Sequence, residues 1–232
     1  MSIIAPATLL DIVQRAQQRC QIASRTSTVI DQDGQSLDFI LWADEAWIEL
    51  QGKRDDWGFM RLSTSFPTVA GQVYYTPSQA GVTAGSVRGW ERETFRMYPT
   101  GNQSGEIFLT YTEYDNFRDV YQIGALVTSQ VQPVIFTITP TLSIGVQTPL
   151  AGYTLTGDYF RNIRHFELND ADVPLGLPDW AIMGLVYRTQ MYYAASENDS
   201  TMYNEAEAEY NRIVNRLSRS HSPEIRGPGP LA

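Results

Sequence analysis

Apolar positions recur with helical spacing at both ends of the chain. In residues 8–23, apolar or small side chains fall at Leu9, Val13, Ala16, Cys20 and Ala23, and Leu10 and Ile12 widen the stripe. That four-three spacing keeps one face of a helix apolar. Pro6 suits a helix start and Thr8 can cap it. A second helix is expected over residues 37–52, with Ile40, Ala43, Trp47 and Leu50 on one face beside Phe39 and Ala46. Ser36 is the expected N-cap and Gly52 the expected stop. Asp44, Glu45 and Glu49 fall on the other side and read as a solvated face. Between these helices Asp31, Gln32, Asp33 and Gly34 read as a turn, because the further ligands and closing glutamate of a calcium loop are missing.

From Phe66 to about Leu168 the period changes from helix to strand. Residues 106–114 alternate, with Ile107, Leu109, Tyr111 and Glu113 on one side and Phe108, Thr110, Thr112 and Tyr114 on the other. Similar short runs lie at residues 72–76, 87–98, 133–139, 142–147, 153–156 and 159–168, separated by Gly and Pro such as Gly71, Pro77, Gly101, Pro140, Pro149 and Gly157. Several short strands with such punctuation indicate a sandwich or small barrel. Residues 115–124 read as a short helical or irregular excursion.

The helical period then returns. Residues 179–196 carry Trp180, Met183, Tyr187, Met191 and Ala194, and residues 200–219 carry Tyr203, Ala206, Tyr210, Ile213 and Leu217. Asn198, Asp199 and Ser200 form the turn, so the two helices are expected to run antiparallel. The last stretch, SHSPEIRGPGPLA, contains two Gly-Pro pairs and reads as an extended tail. The fold class is therefore α+β. An N-terminal helix pair and a C-terminal helix hairpin form a helical bundle, with a large inserted antiparallel β sandwich or barrel domain and an extended C-terminal tail. The expected boundaries are 1–62, 63–170, 171–219 and 220–232.

Composition narrows the function. The chain has 232 residues, 43 % apolar and 19 % charged, with 13 Tyr, 9 Phe and 5 Trp. This is globular and large enough for a sizeable core. One cysteine, Cys20, excludes an internal disulfide, and with only two histidines, His165 and His221, far apart, the composition argues against a zinc, haem or iron–sulfur site. Cys20 reads as a small buried hydrophobe. No apolar run is long enough for a transmembrane helix, and no basic segment precedes an apolar one at the N-terminus. The net charge of −9 disfavours a broad duplex-binding face. Every basic residue except Lys53 is arginine, which suits planar bidentate contacts at protein interfaces. Acids dominate from Glu167 to Glu209, whereas Arg212, Arg216, Arg219 and Arg226 follow. Acids before bases along the last helix complement its dipole.

Catalytic motifs are missing. The chain has no G-x-G-x-x-G after a strand, phosphate-loop lysine, G-x-S-x-G or H-E-x-x-H. His165 falls in an expected strand and His221 in the tail. Asp170 and Asp172 could serve glycoside hydrolysis given an open cleft, but read more simply as a loop. No enzyme, cofactor or metal is expected.

Several strings carry a resemblance. They are residues 37–50 (LDFILWADEAWIEL) running into Trp57-Gly58-Phe59-Met60, then residues 66–74 (FPTVAGQVY), residues 152–159 (GYTLTGDY), Val173-Pro174 and Leu177-Pro178-Asp179-Trp180. With the closing hairpin around Asp199, this order resembles the head-to-tail adaptor, or connector, proteins of tailed bacteriophages. The resemblance implies a virion protein assembled in the host cytoplasm, forming a ring of about twelve copies between portal and tail. It implies a portal protein and a tail nozzle or other tail protein as partners, DNA passing through without specific binding, and no membrane. It also implies that the tail grips the portal through Arg219, His221, Pro223, Ile225, Arg226, Pro228, Pro230 and Leu231. A different reading is a carbohydrate-binding virion module, with exposed Trp90 and Tyr98 as the sugar platform.

Overall fold

The computed structural model describes residues 7–124 and 130–220. The chain divides into two compact units, Met1–Phe59 with Ile163–Ala232, and Met60–Asn162.

In the helical unit, α1 spans Leu9–Arg19 and opens on a capping box. The Thr8 hydroxyl accepts from Asp11 N at 3.2 Å, and the Asp11 carboxylate accepts from Thr8 N at 3.0 Å. These bonds satisfy two of the amides a helix start leaves without partners. The helix ends four residues before the expected Ala23, because Gln21 turns left-handed at φ 58°. Cys20 still points inward and is buried. The next helix, α2, spans Gly34–Gly52, so it starts ahead of the expected Ser36 cap, with Asp33 in the cap position. Asp31 and Gly34, at φ 51° and 52°, make the expected turn into it. Gly52 does not act as the left-handed stop, and Lys53 beyond it keeps right-handed geometry.

A short 3-10 turn at Asp179–Ala181 leads into a helix over Ile182–Ser196 and, after Asn198 at φ 57°, another over Ser200–Ser220. Because one helix intervenes in the other unit, these are α4 and α5. Asp199 Oδ1 accepts from Met202 N at 2.9 Å and so caps α5. The pair is antiparallel: Arg216 lies over the Trp180 ring, Gly184 faces Ile213, and Met191 packs with Ala206 and Tyr210. A Cβ on Gly184 would come to 3.2 Å from Ile213, so the missing side chain lets the helices approach closely. Both α1 and α2 pack on α4. Their shared core holds Leu9, Ile12, Val13, Phe39, Ile40, Ala43, Trp47, Leu50, Leu185 and Val186, all almost fully buried.

Among the described residues the second unit holds eight strands: β1 (Arg61–Pro67), β2 (Tyr74–Tyr75), β3 (Val87–Pro99), β4 (Ile107–Phe108), β5 (Thr110–Tyr111), β6 (Ile135–Ile138), β7 (Ile144–Val146) and β8 (Tyr153–Arg161). They form two four-stranded sheets, ordered β1-β8-β3-β4 and β2-β7-β6-β5. The pairings are antiparallel except β5 with β6, where Thr110 opposes Ile135 in parallel. Parallel neighbours need a crossover, which the helix α3 (Tyr114–Tyr121) provides in part. The expected all-antiparallel arrangement is therefore corrected to a mixed one, and neither sheet closes into a barrel. A single apolar cluster draws on both sheets, with Phe66, Trp90, Phe95, Met97 and Leu155 from the first and Tyr75, Phe136, Ile144 and Val146 from the second.

Three strand expectations change for identifiable reasons. Residues 106–114 do not form one strand, because the chain changes sheets at Leu109. Leu109 N donates to Phe95 O at 3.0 Å, and Thr110 N donates to Val134 O at 2.8 Å. The runs at 153–156 and 159–168 are instead one strand that passes through Gly157 and ends at Arg161. His165 therefore lies in irregular chain and not in a strand. Finally, β1 begins before the expected β region, and its unpatterned RLSTSFP is tolerated because only β8 pairs with it.

Candidate functional site

The helix α2 presents carboxylates that do more than face water. Asp44 Oδ2 lies 2.6 Å from His165 Nδ1, while its Oδ1 accepts from Phe166 N at 2.8 Å. Two turns further on, the Gln51 amide both accepts from Arg164 N (3.2 Å) and donates to Arg164 O (2.9 Å). A helix thus supplies the hydrogen bonds a sheet neighbour would give to this returning segment. Glu49 Oε2 accepts from Arg188 Nε at 2.6 Å and from Tyr192 OH at 3.2 Å, and Lys53 approaches its Oε1 at 3.4 Å. Tyr210 is buried beside this group, and burial raises its phenol pKa, with Glu49 adding to the shift. The expected solvated face is corrected accordingly: Asp44 and Glu49 fasten α2 to its surroundings, and Glu45 is the exposed one.

The two acids considered for glycoside hydrolysis are loop anchors. Asp170 Oδ1 accepts from Val29 N at 2.5 Å and Thr28 Oγ1 at 3.1 Å. Asp172 accepts from Arg164 at 2.8 Å, Glu167 N at 2.6 Å and Val173 N at 2.9 Å. Backbone amides and a guanidinium occupy their oxygens, which is a structural use of a carboxylate. Cys20 is buried, and burial pushes its thiol up to about 12, far from the thiolate a nucleophile needs. Among the described residues, no group of three His, Cys, Asp or Glu is placed to hold a metal, and no helix is long and apolar enough to cross a membrane.

In the β unit, the expected sugar platform does not form. Trp90 is 7 % exposed, donates from Nε1 to Leu142 O at 2.8 Å, and packs on Phe95 and Tyr159. It is a core residue. Trp90→Phe keeps most of the ring and removes the donor, so it is expected to lower the unfolding free energy by about 1 kcal/mol through the orphaned carbonyl. Urea denaturation measures this; unchanged stability together with loss of oligosaccharide binding would restore the platform. The outer face of the first sheet does hold a trough of about 530 Å³, with Ser63, Ser65 and Thr156 between two ion pairs. Arg61 meets Asp158 at 2.6 Å and Arg96 meets Glu106 at 3.0 Å, so both guanidinia already have carboxylate partners.

Several large apolar side chains of this unit are exposed. Val131 N donates to Thr148 O, Leu150 N to Val131 O, and Gly71 N to Pro149 O. These bonds hold Val131 beside Leu150; Val69, Val131, Val134 and Leu150 are 36 to 54 % exposed. Residues 120–157 contain no Asp, Glu, Lys or Arg, in a chain that is 19 % charged. Exposed apolar side chains in an uncharged stretch make this segment a candidate interaction surface. The absence of charge is the signal in the sequence that would have found it.

Of the expected portal-binding residues, Arg219 is exposed in the last turn of α5. His221, Pro223, Ile225, Arg226, Pro228, Pro230 and Leu231 lie outside the described residues.

The family model for the SU10 adaptor protein matches residues 7–230, and the chain belongs to that family. The family is one of phage adaptor proteins, structural components of the virion. No curated protein matches the chain.

Proposed function

We propose that the chain is one subunit of an adaptor ring, about twelve copies, that joins the portal of the capsid to the tail and encloses part of the DNA channel. The observation that carries this is the family match, which extends to residue 230 and so includes the C-terminal tail. The tail is thereby part of the shared pattern. In this reading the four long helices form a bundle, the two sheets form a sandwich module, and the protein acts without catalysis or cofactor. The net charge of −9 suits a conduit, since an acidic wall repels phosphates and leaves passing DNA unbound. The partners are further copies, the portal and a tail protein, and the place of action is the head–tail interface.

The tail supplies the test. Deleting residues 221–232 is expected to leave the helical circular dichroism and thermal midpoint unchanged, since the deletion keeps all of Ser200–Ser220 in α5. Portal recovery in a pull-down through a tag on this chain is expected to vanish. A truncated chain that still brings down the portal at the full-length yield would overturn the assignment of the tail.

A further inference from the structure

The helical unit leaves two opposite charge patches unpaired. No acid occurs in residues 12–30, while Arg15, Arg19 and Arg25 are all exposed there. Arg15 and Arg19, one helical turn apart, line a pocket of about 390 Å³ with Gln18 and Met183. Arg19 lies 4.4 Å over the Tyr187 ring, which orients its guanidinium while leaving its N–H groups available. Among the described residues, neither Arg15 nor Arg19 has a carboxylate partner. Like charges at this spacing repel within a helix. The acid one turn before Arg15, Asp11, is engaged with the Thr8 amide, and no acid lies within a turn of Arg19.

The complementary patch lies at the turn between α4 and α5. No base occurs between Arg188 and Arg212, a stretch holding Glu197, Asp199, Glu205, Glu207 and Glu209. Asp199 caps α5 and Glu209 meets Arg212 at 2.5 Å. Glu197 and Glu205 are exposed, and among the described residues neither has a basic partner.

Resting on the adaptor-ring reading, we propose that the Arg15/Arg19 groove of one subunit receives Glu197 and Glu205 of the neighbouring copy. A closed ring repeats one contact between unlike surfaces, and these two groups carry opposite sign on one chain. Every copy then carries both halves in equal number. Arginine forks suit carboxylates geometrically, and such contacts steer association and set register. Nucleic acid is a poorer occupant, since its phosphates would meet the surrounding negative field.

The test uses full-length protein and charge reversal, with ring yield counted by electron microscopy of complexes recovered with the portal. Arg15→Glu with Arg19→Glu is expected to cut ring yield about tenfold, and Glu197→Arg with Glu205→Arg to do the same. Subunits carrying all four changes are expected to regain wild-type yield within about twofold, because attraction is restored with reversed sign. Wild-type rings should weaken as salt rises, as exposed charges are screened. If wild-type rings form but either reversed pair leaves their yield unchanged, or the fourfold variant gains nothing over the doubles while melting like wild type, the groove assignment is overturned and the ring stands. If wild-type chains give no multi-subunit ring, the adaptor-ring reading itself falls and the groove assignment with it.

Discussion

Trp47→Ala is expected to cost the helical unit about 3–5 kcal/mol of stability. Trp47 is fully buried on α2, stacked on Phe59 at 5.8 Å and packed on Phe166 at 5.9 Å. Phe59 stacks in turn on Trp57, whose Nε1 donates to Leu50 O at 2.8 Å. The indole therefore joins three pieces of chain: α2, the segment that leaves it, and the segment that returns more than a hundred residues later. Alanine would leave a cavity bounded by rigid rings that cannot collapse into it, which is the condition for the upper end of the range. Urea titration of the full chain, followed by far-ultraviolet circular dichroism at helical wavelengths, would read the shift. Trp47→Phe should retain most of the contact and lose less. A loss below about 1 kcal/mol for alanine would mean that the rings repack, and that Trp47 does not hold the segments together.

The helical half was legible because its information is local. The spacing of Leu9, Val13 and Ala16, and of Tyr203, Ala206, Tyr210, Ile213 and Leu217, gives the buried faces directly, and Asn198 and Asp199 make the turn between the last two helices. Local spacing also misled: it continued past Arg19 to Ala23, where the backbone of Gln21 had already left the helix. The carboxylates were illegible for a different reason. Asp44, Glu49 and Asp172 bind partners 122, 139 and 8 residues away, and nothing in an amphipathic pattern distinguishes an acid that meets such a partner from one that meets water. The β half suffered most. Alternation located Val87, Ile135 and Tyr153 in strands, yet it carries no record of which sheet a strand joins, so the change of sheet at Leu109 and the parallel β5–β6 pair could not be read from it. Trp90 illustrates the same gap. An aromatic residue at a strand position can face either side, and the core of two sheets claimed it.

Gly157→Val is expected to destabilise the β unit by about 3 kcal/mol, although glycine in a strand is ordinarily a weakness. Its place in the sequence suggests a break between two strands. In the structure it lies inside β8, opposite Thr64 of β1, and its backbone φ is not in the left-handed region. The need for glycine is therefore steric. A Cβ there would sit 2.8 Å from both Cδ1 and Cε1 of Phe95. That ring is fully buried and packs 4.5 Å from Phe136, so it has little room to retreat. On the neighbouring strand the regular pairing of β3 with β8 lapses between Glu91 and Arg96, and Asp158 N donates instead to Thr94 Oγ1 at 2.9 Å. The strand irregularity and the missing side chain thus accommodate one ring. If so, the two sites must couple: Phe95→Leu should be destabilising alone, yet the pair Gly157→Val with Phe95→Leu should cost less than the sum by about 1–3 kcal/mol. Strict additivity in a double-mutant cycle would detach the glycine from Phe95 and leave β-strand propensity to account for the cost. Propensity argues for the opposite sign, since valine is the better strand former, so a destabilised single variant that is rescued in the pair has only the ring to explain it.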